Sequence, residues 1–149
     1  MLYNPSMSVE SPHVEDRLGW EKIEQEIQRL SEKIDHQPDI IVGVVRGGLI
    51  PARLLSTSLK VKDMYCLTVQ KVGEERRVTS DITEDISGKG VLLVEDALET
   101  GRSLVAAEEY LAQRGAHVKT ACLYTTEKSE ISPDYSLEKV TTIPTFPWE

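Results

Sequence analysis

The run Val91 to Leu104, VLLVEDALETGRSL, restricts the possible folds more than any other part of the chain. Four consecutive apolar residues behind Gly90 are too short for a helix. They read as a strand buried on both faces, which parallel sheets require. Two adjacent carboxylates, Glu95 and Asp96, stand where that strand emerges. Thr100 and Gly101 then open a helix expected from about Arg102 to Arg114, stopped by Gly115. In open α/β sheets ligands bind beyond the carboxyl ends of the strands, so the acids fall where a ligand belongs.

The same alternation recurs along the chain. Ile23, Ile27, Leu30 and Ile34 recur at helical spacing between charged residues, which predicts an amphipathic helix beginning near Leu18. Pro38-Asp39 ends it, and Ile40 to Val45 is a second buried strand. Arg46-Gly47-Gly48 follows, then a helix that tolerates Pro51 in its first turn. Val61 to Gln70 and Val118 to Tyr124 read as further strands, and the charged segment Lys71 to Ser80 as a mobile hairpin or loop. Short strands and turns fill the tail. Strand–helix alternation predicts a mainly parallel α/β sheet with right-handed connections in one domain, residues 18–149. Residues 1–17, with Asn4, Pro5, Ser6, Ser8, Ser11 and Pro12, read as a loosely ordered arm.

Bulk properties remove some function classes. A length of 149 residues suits one core, and 40% hydrophobic content is ordinary for a globular protein. Asp and Glu number 25 against 17 Lys and Arg, a net charge of -8 that disfavours nucleic acid as a partner. The sequence has no apolar run long enough to span a membrane and no signal pattern at its start, so no membrane partner and a cytoplasmic location are expected. Cys66 and Cys122 stand alone in apolar stretches and read as buried core thiols.

The chemistry concentrates in the acidic loop. A helix N-terminus presents unpaired backbone N–H groups and partial positive charge, which suits a phosphate. Gly101 allows close approach, and Thr100 and Ser103 add hydroxyl donors. Glu95 and Asp96 can accept hydrogen bonds from sugar hydroxyls or hold Mg²⁺ through water. An acid pair alone would read as solvated strand-end residues. Joined to the helix entry, it matches a ribose 5-phosphate.

VLLVEDALETGRSL resembles the phosphoribosyl-diphosphate signature of type I phosphoribosyltransferases, and IIVGVVRGGLIPARLLSTSL resembles the diphosphate-binding segment of their purine branch. The ending SPDYSLEKV…FPWE is similar to small bacterial and archaeal xanthine, hypoxanthine and guanine enzymes. The resemblance implies a single-domain type I fold: a mainly parallel central sheet, flanking helices and a small hood. It implies a cytoplasmic purine-salvage transferase, a homodimer or homotetramer, that forms a nucleoside monophosphate and diphosphate from phosphoribosyl diphosphate and a 6-oxopurine. On that likeness Glu95 and Asp96 hold the ribose hydroxyls, with Mg²⁺ nearby through diphosphate and water. Glu99, Thr100, Gly101, Arg102 and Ser103 form the 5-phosphate loop. Val45, Arg46, Gly47 and Gly48 cradle the diphosphate, through a strained peptide at or near Val45–Arg46. Lys71, Arg76 and Arg77 belong to a flexible loop that closes over the reaction, and Glu99 and Arg46 are the catalytic pair.

The sequence departs from the family pattern in the base half of the site. Glu99 replaces the usual Asp, Thr126 stands where a lysine contacts the base, and Ile143 occupies the place of a stacking aromatic. Lys128 lies two residues from Thr126, and Trp148 reads as a cap on the C-terminal core. Two other readings follow from these departures: a non-catalytic regulator that binds phosphoribosyl diphosphate or a nucleotide, and a transferase for another nitrogenous base.

Overall fold

The structure, a computed structural model, describes residues 16–149. The expectation for the arm falls mostly on residues outside that range. Asp16 and Arg17 lie inside it and pair with the C-terminal segment: Arg17 bridges Thr145, whose N–H donates to the Asp16 carbonyl at 2.8 Å.

Helix α1 spans Trp20–Lys33 and buries Ile23, Ile27 and Leu30 along one stripe, as their spacing predicts. Strand β1 (Ile40–Val45) leads into α2 (Leu49–Ser58), with Pro51 in its first turn. Strands β2 (Asp63–Val72) and β3 (Glu75–Val78) form an antiparallel hairpin. Its two-residue turn takes a positive φ at Gly73, which such turns demand. Strand β4 (Gly90–Val94), a short β5 (Ala97–Leu98), α3 (Arg102–Gln113) and β6 (His117–Ala121) follow. Strands β7 (Tyr124–Thr125) and β8 (Glu138–Lys139) close the element list.

The main sheet has the order β3-β2-β1-β4-β6, parallel except for β3, as the alternation predicts. A separate three-stranded sheet, β5-β7-β8, forms a small hood. The buried runs alternate between two cores with the period of two that strands impose. Ile41, Leu92 and Val94 pack with α1 and α2, whereas Ile40, Val42, Val44, Val91 and Leu93 pack with α3. Gly43 sits within β1 because α2 approaches closely there; a Cβ would lie 3.0 Å from the Ala52 Cβ.

The segment Lys71 to Ser80 takes the hairpin form of its two expected readings: β2 continues to Val72 and β3 pairs back along it, setting Lys71 opposite Arg76 and Gln70 opposite Arg77. Three expectations require correction. The run Val118 to Tyr124 is not one strand, because the chain leaves the main sheet at Ala121 and joins the hood at Tyr124. Strand β2 starts at Asp63, since the Val61 N–H is held by the Ser56 carbonyl at 2.9 Å. Cys122 is buried as expected, but Cys66 is exposed. Cys66 shares a face with Met64, which packs with α1 and α2, and at Cys66 those helices no longer cover the strand.

Candidate active site

After β1 the chain turns through α2 to β2 on one side; after β4 it turns through α3 to β6 on the other. The crevice between the carboxyl ends of β1 and β4 is therefore the topological switch point of the sheet. Both sequence motifs end there. The Val45–Arg46 peptide is cis, and Arg46 projects as an exposed side chain. Gly48 threads between strands: its N–H donates to the Val44 carbonyl at 2.8 Å, and a Cβ would collide with the Val94 carbonyl oxygen. Gly47 lies against the Asp96 carboxylate, so the two loops touch.

Glu95 and Asp96 are both half-buried. Burial, reinforced by the neighbouring Asp96 charge, pushes the Glu95 carboxyl up to about 8. Burial also raises Asp96. Hydrogen bonds from the Ala97 N–H at 2.7 Å and the Trp148 indole N–H at 3.3 Å oppose that rise. Neither acid behaves as a solvated strand-end residue.

Gly101 supplies the turn into α3 at φ +81, a left-handed conformation that favours glycine. No side chain of the N-cap satisfies the first-turn N–H groups. Thr100 reaches the Arg102 N–H only weakly, at 3.4 Å. The Arg102 guanidinium donates to Glu130 at 3.0 and 3.1 Å. Residues Glu95, Glu99, Thr100, Gly101, Arg102 and Ser103 line one recess of about 250 Å³, and Arg76 of the β2–β3 hairpin faces it.

The geometry agrees with three comparisons. The family described as the phosphoribosyl transferase domain matches residues 14–149. This chain belongs to the phosphoribosyltransferase family. Xanthine-guanine phosphoribosyltransferase of Chromohalobacter salexigens is 29% identical over 76% of this chain and 71% of its own length. Hypoxanthine-guanine phosphoribosyltransferase of Lactococcus lactis is 28% identical over 89% of this chain and 78% of its own. The crystal structure of purine phosphoribosyltransferase from Pyrococcus horikoshii superposes with a TM-score of 0.82 at 36% identity, covering 89% of this chain and 92% of that one.

A second, larger cleft of about 710 Å³ adjoins the recess at the α3 entry of this phosphoribosyltransferase, and Glu99 lines both. Thr126 and Ile143, paired only by counting in the sequence, meet in its wall. The Thr126 hydroxyl is already engaged, donating to the Glu99 carbonyl at 2.9 Å, so it braces the loop and is not a free donor to a ligand. Lys128 lines the cleft, together with Lys139, Val140, Thr141 and Thr142, which the sequence reading missed. No motif marks that stretch; only the pairing of β8 beside β7 brings it there. Lys71 and Arg77 are exposed on the hairpin, and Arg77 pairs with Glu75 at 3.2 Å.

Proposed function

We propose that this enzyme transfers the phosphoribosyl group of phosphoribosyl diphosphate to a ring nitrogen of a 6-oxopurine, forming a nucleoside monophosphate and diphosphate. One observation carries the reading: Glu99 joins a recess of about 250 Å³ at a helix N-terminus to a cleft of about 710 Å³, beside two acids at the switch point. The purine acceptor is supported by relatives named for xanthine, guanine and hypoxanthine.

In this reading the α3 N–H groups, Thr100 and Ser103 bind the 5-phosphate. Glu95 and Asp96 accept hydrogen bonds from the ribose hydroxyls. Arg46 and the 45–48 backbone hold the departing diphosphate. The bond from the anomeric carbon to the diphosphate oxygen breaks, and the electron pair leaves with diphosphate. A bond to the purine nitrogen forms through an oxocarbenium-like transition state. The half-buried Asp96 carboxylate stabilises that cation, and Glu99 takes the proton lost by the base. Ile143 offers the base an apolar wall where an aromatic would stack.

Two adjacent carboxylates are hard oxygen donors, too few to cage a metal alone. That set fits Mg²⁺ carried mainly by phosphate oxygens, with Glu95 and Asp96 reaching it through water. When bound it would neutralise charge on the diphosphate. A cytoplasmic homodimer or homotetramer, acting without nucleic acid or membrane, belongs to the same proposal. The net charge of -8 disfavours nucleic acid as a partner.

Product analysis tests the function. Incubation with phosphoribosyl diphosphate, Mg²⁺ and hypoxanthine, guanine or xanthine is expected to yield the matching nucleoside 5′-monophosphate by chromatography and mass. No nucleotide from any purine would sink the proposal.

A further inference from the structure

The last residues of the chain reach into the acid pair. Asp96 is anchored at one oxygen by the Ala97 N–H at 2.7 Å, a local bond within its own turn. Its other oxygen, Oδ2, accepts from the indole Nε1–H of Trp148 at 3.3 Å, across 52 residues of sequence. A carboxylate held at one oxygen keeps a broad two-fold torsion; a second bond from an independent element fixes its plane.

The donor is itself held in place. Trp148 stacks on Phe146 with centroids 4.7 Å apart and planes within 6°, and Phe146 stacks on Tyr124 at 6.1 Å. The Tyr124 hydroxyl donates to buried Glu26 of α1 at 2.9 Å. The Trp20 ring also lies near that of Trp148, tilted by 52° with centroids 6.0 Å apart. The segment that places Trp148 also carries Ile143 into the larger cleft. One stretch of chain therefore lines the base side and orients an acid on the sugar side.

We infer that Trp148 is a positioning residue, whose indole N–H fixes the Asp96 carboxylate in the orientation that phosphoribosyl diphosphate requires. This inference rests on the function proposed above, because it takes the Asp96 carboxylate to meet the ribose.

Trp148→Phe keeps an aromatic ring on Phe146 and removes the donor. The expected result is a KM for phosphoribosyl diphosphate raised about tenfold, the scale of a lost hydrogen bond to a charged group. The KM for the purine should stay within about twofold, since the ring stack that supports the cleft wall persists. If loss of Trp148 merely loosened the C-terminal segment, both KM values would rise together, because Ile143 lies on that segment. Equal rises, or no rise, overturn the inference.

A ligand-free measurement separates this outcome from failure of the proposed function. The chain has only two tryptophans, so the nitrogen–proton spectrum of the indoles contains two signals. Asp96→Ala is expected to shift the Trp148 indole signal strongly and leave that of Trp20 nearly in place, whether or not any nucleotide is made. An unmoved Trp148 signal would overturn the contact even in an active enzyme. A shifted signal with no purine turnover would retain the contact and condemn the proposed reaction.

Discussion

Gly47 lies so close to Asp96 that a Cβ added to it would stand 2.6 Å from the Asp96 Cγ and 2.7 Å from Oδ1. The glycine is thus required by the neighbouring loop, and its own φ is unremarkable. A methyl at this point must displace a carboxylate that is already held by two hydrogen bonds.

Gly47→Ala is therefore expected to weaken binding of phosphoribosyl diphosphate by about a hundredfold, the scale at which misplacement of reacting groups acts. The fold should survive, at a cost of about 1–3 kcal/mol for overpacking. Calorimetric titration and a thermal melt of the same variant check both parts. Unchanged affinity would show that the two loops do not act on one ligand.

Glu95 couples stability to pH. Its carboxyl holds a proton up to about 8 in the folded chain, but releases it near 4.5 once unfolded. Between those values the folded state binds more protons, so this group's contribution to stability falls as pH rises from about 4.5 to 8. Glu95→Gln cannot ionise. Its melting temperature should exceed the wild-type value by several degrees at pH 8, with the gain fading towards pH 5. A gain that is equal at both pH values would contradict the assignment.

The hairpin presents two arginines on opposite faces. Arg76 faces the recess at residues 95–104, whereas Arg77 pairs with Glu75. Arg76→Ala is expected to raise the KM for phosphoribosyl diphosphate by about tenfold, the loss of one charge-assisted phosphate contact. Arg77→Ala should change it by less than about twofold, as exposed ion pairs contribute little. Steady-state kinetics of the two variants decide the matter; equal effects would remove the directional role of Arg76.

Glu99 is the acid that borders both recess and cleft. Glu99→Gln should lower kcat by about 10²-fold or more, the contribution of a positioned proton acceptor. Affinity for phosphoribosyl diphosphate should hold, because in the proposed reading the α3 N–H groups, Thr100 and Ser103 bind the 5-phosphate. Pre-steady-state turnover with independently measured binding separates the two; an unaffected kcat would assign the proton elsewhere.

Features set by local sequence were legible. The apolar runs at 40–45 and 91–94 are buried strands because each faces a core on both sides. Gly101 and Gly115 open and close α3 at positive φ, which glycine tolerates best. Arg46-Gly47-Gly48 and Glu95-Asp96 meet because parallel strands align their carboxyl ends. Features set by distant partners were hidden. Nothing near Arg102 announces that Glu130 takes its guanidinium, and nothing near Thr126 announces that the Glu99 carbonyl takes its hydroxyl. The role of Trp148 is of the same kind: its stacking on Phe146 is a short-range matter, but its bond to Asp96 depends on how the C-terminal segment closes over the switch point. Exposure of Cys66 likewise depends on where α1 and α2 end above the sheet, which no strand pattern encodes.

The most direct test is diphosphate release by the purified protein with phosphoribosyl diphosphate, Mg²⁺ and a panel of purine and pyrimidine bases. Release is expected only when a 6-oxopurine is present, with one diphosphate for each nucleotide formed. Tight binding of phosphoribosyl diphosphate with no release for any purine would contradict the proposed transfer and leave the switch-point site as a sensor.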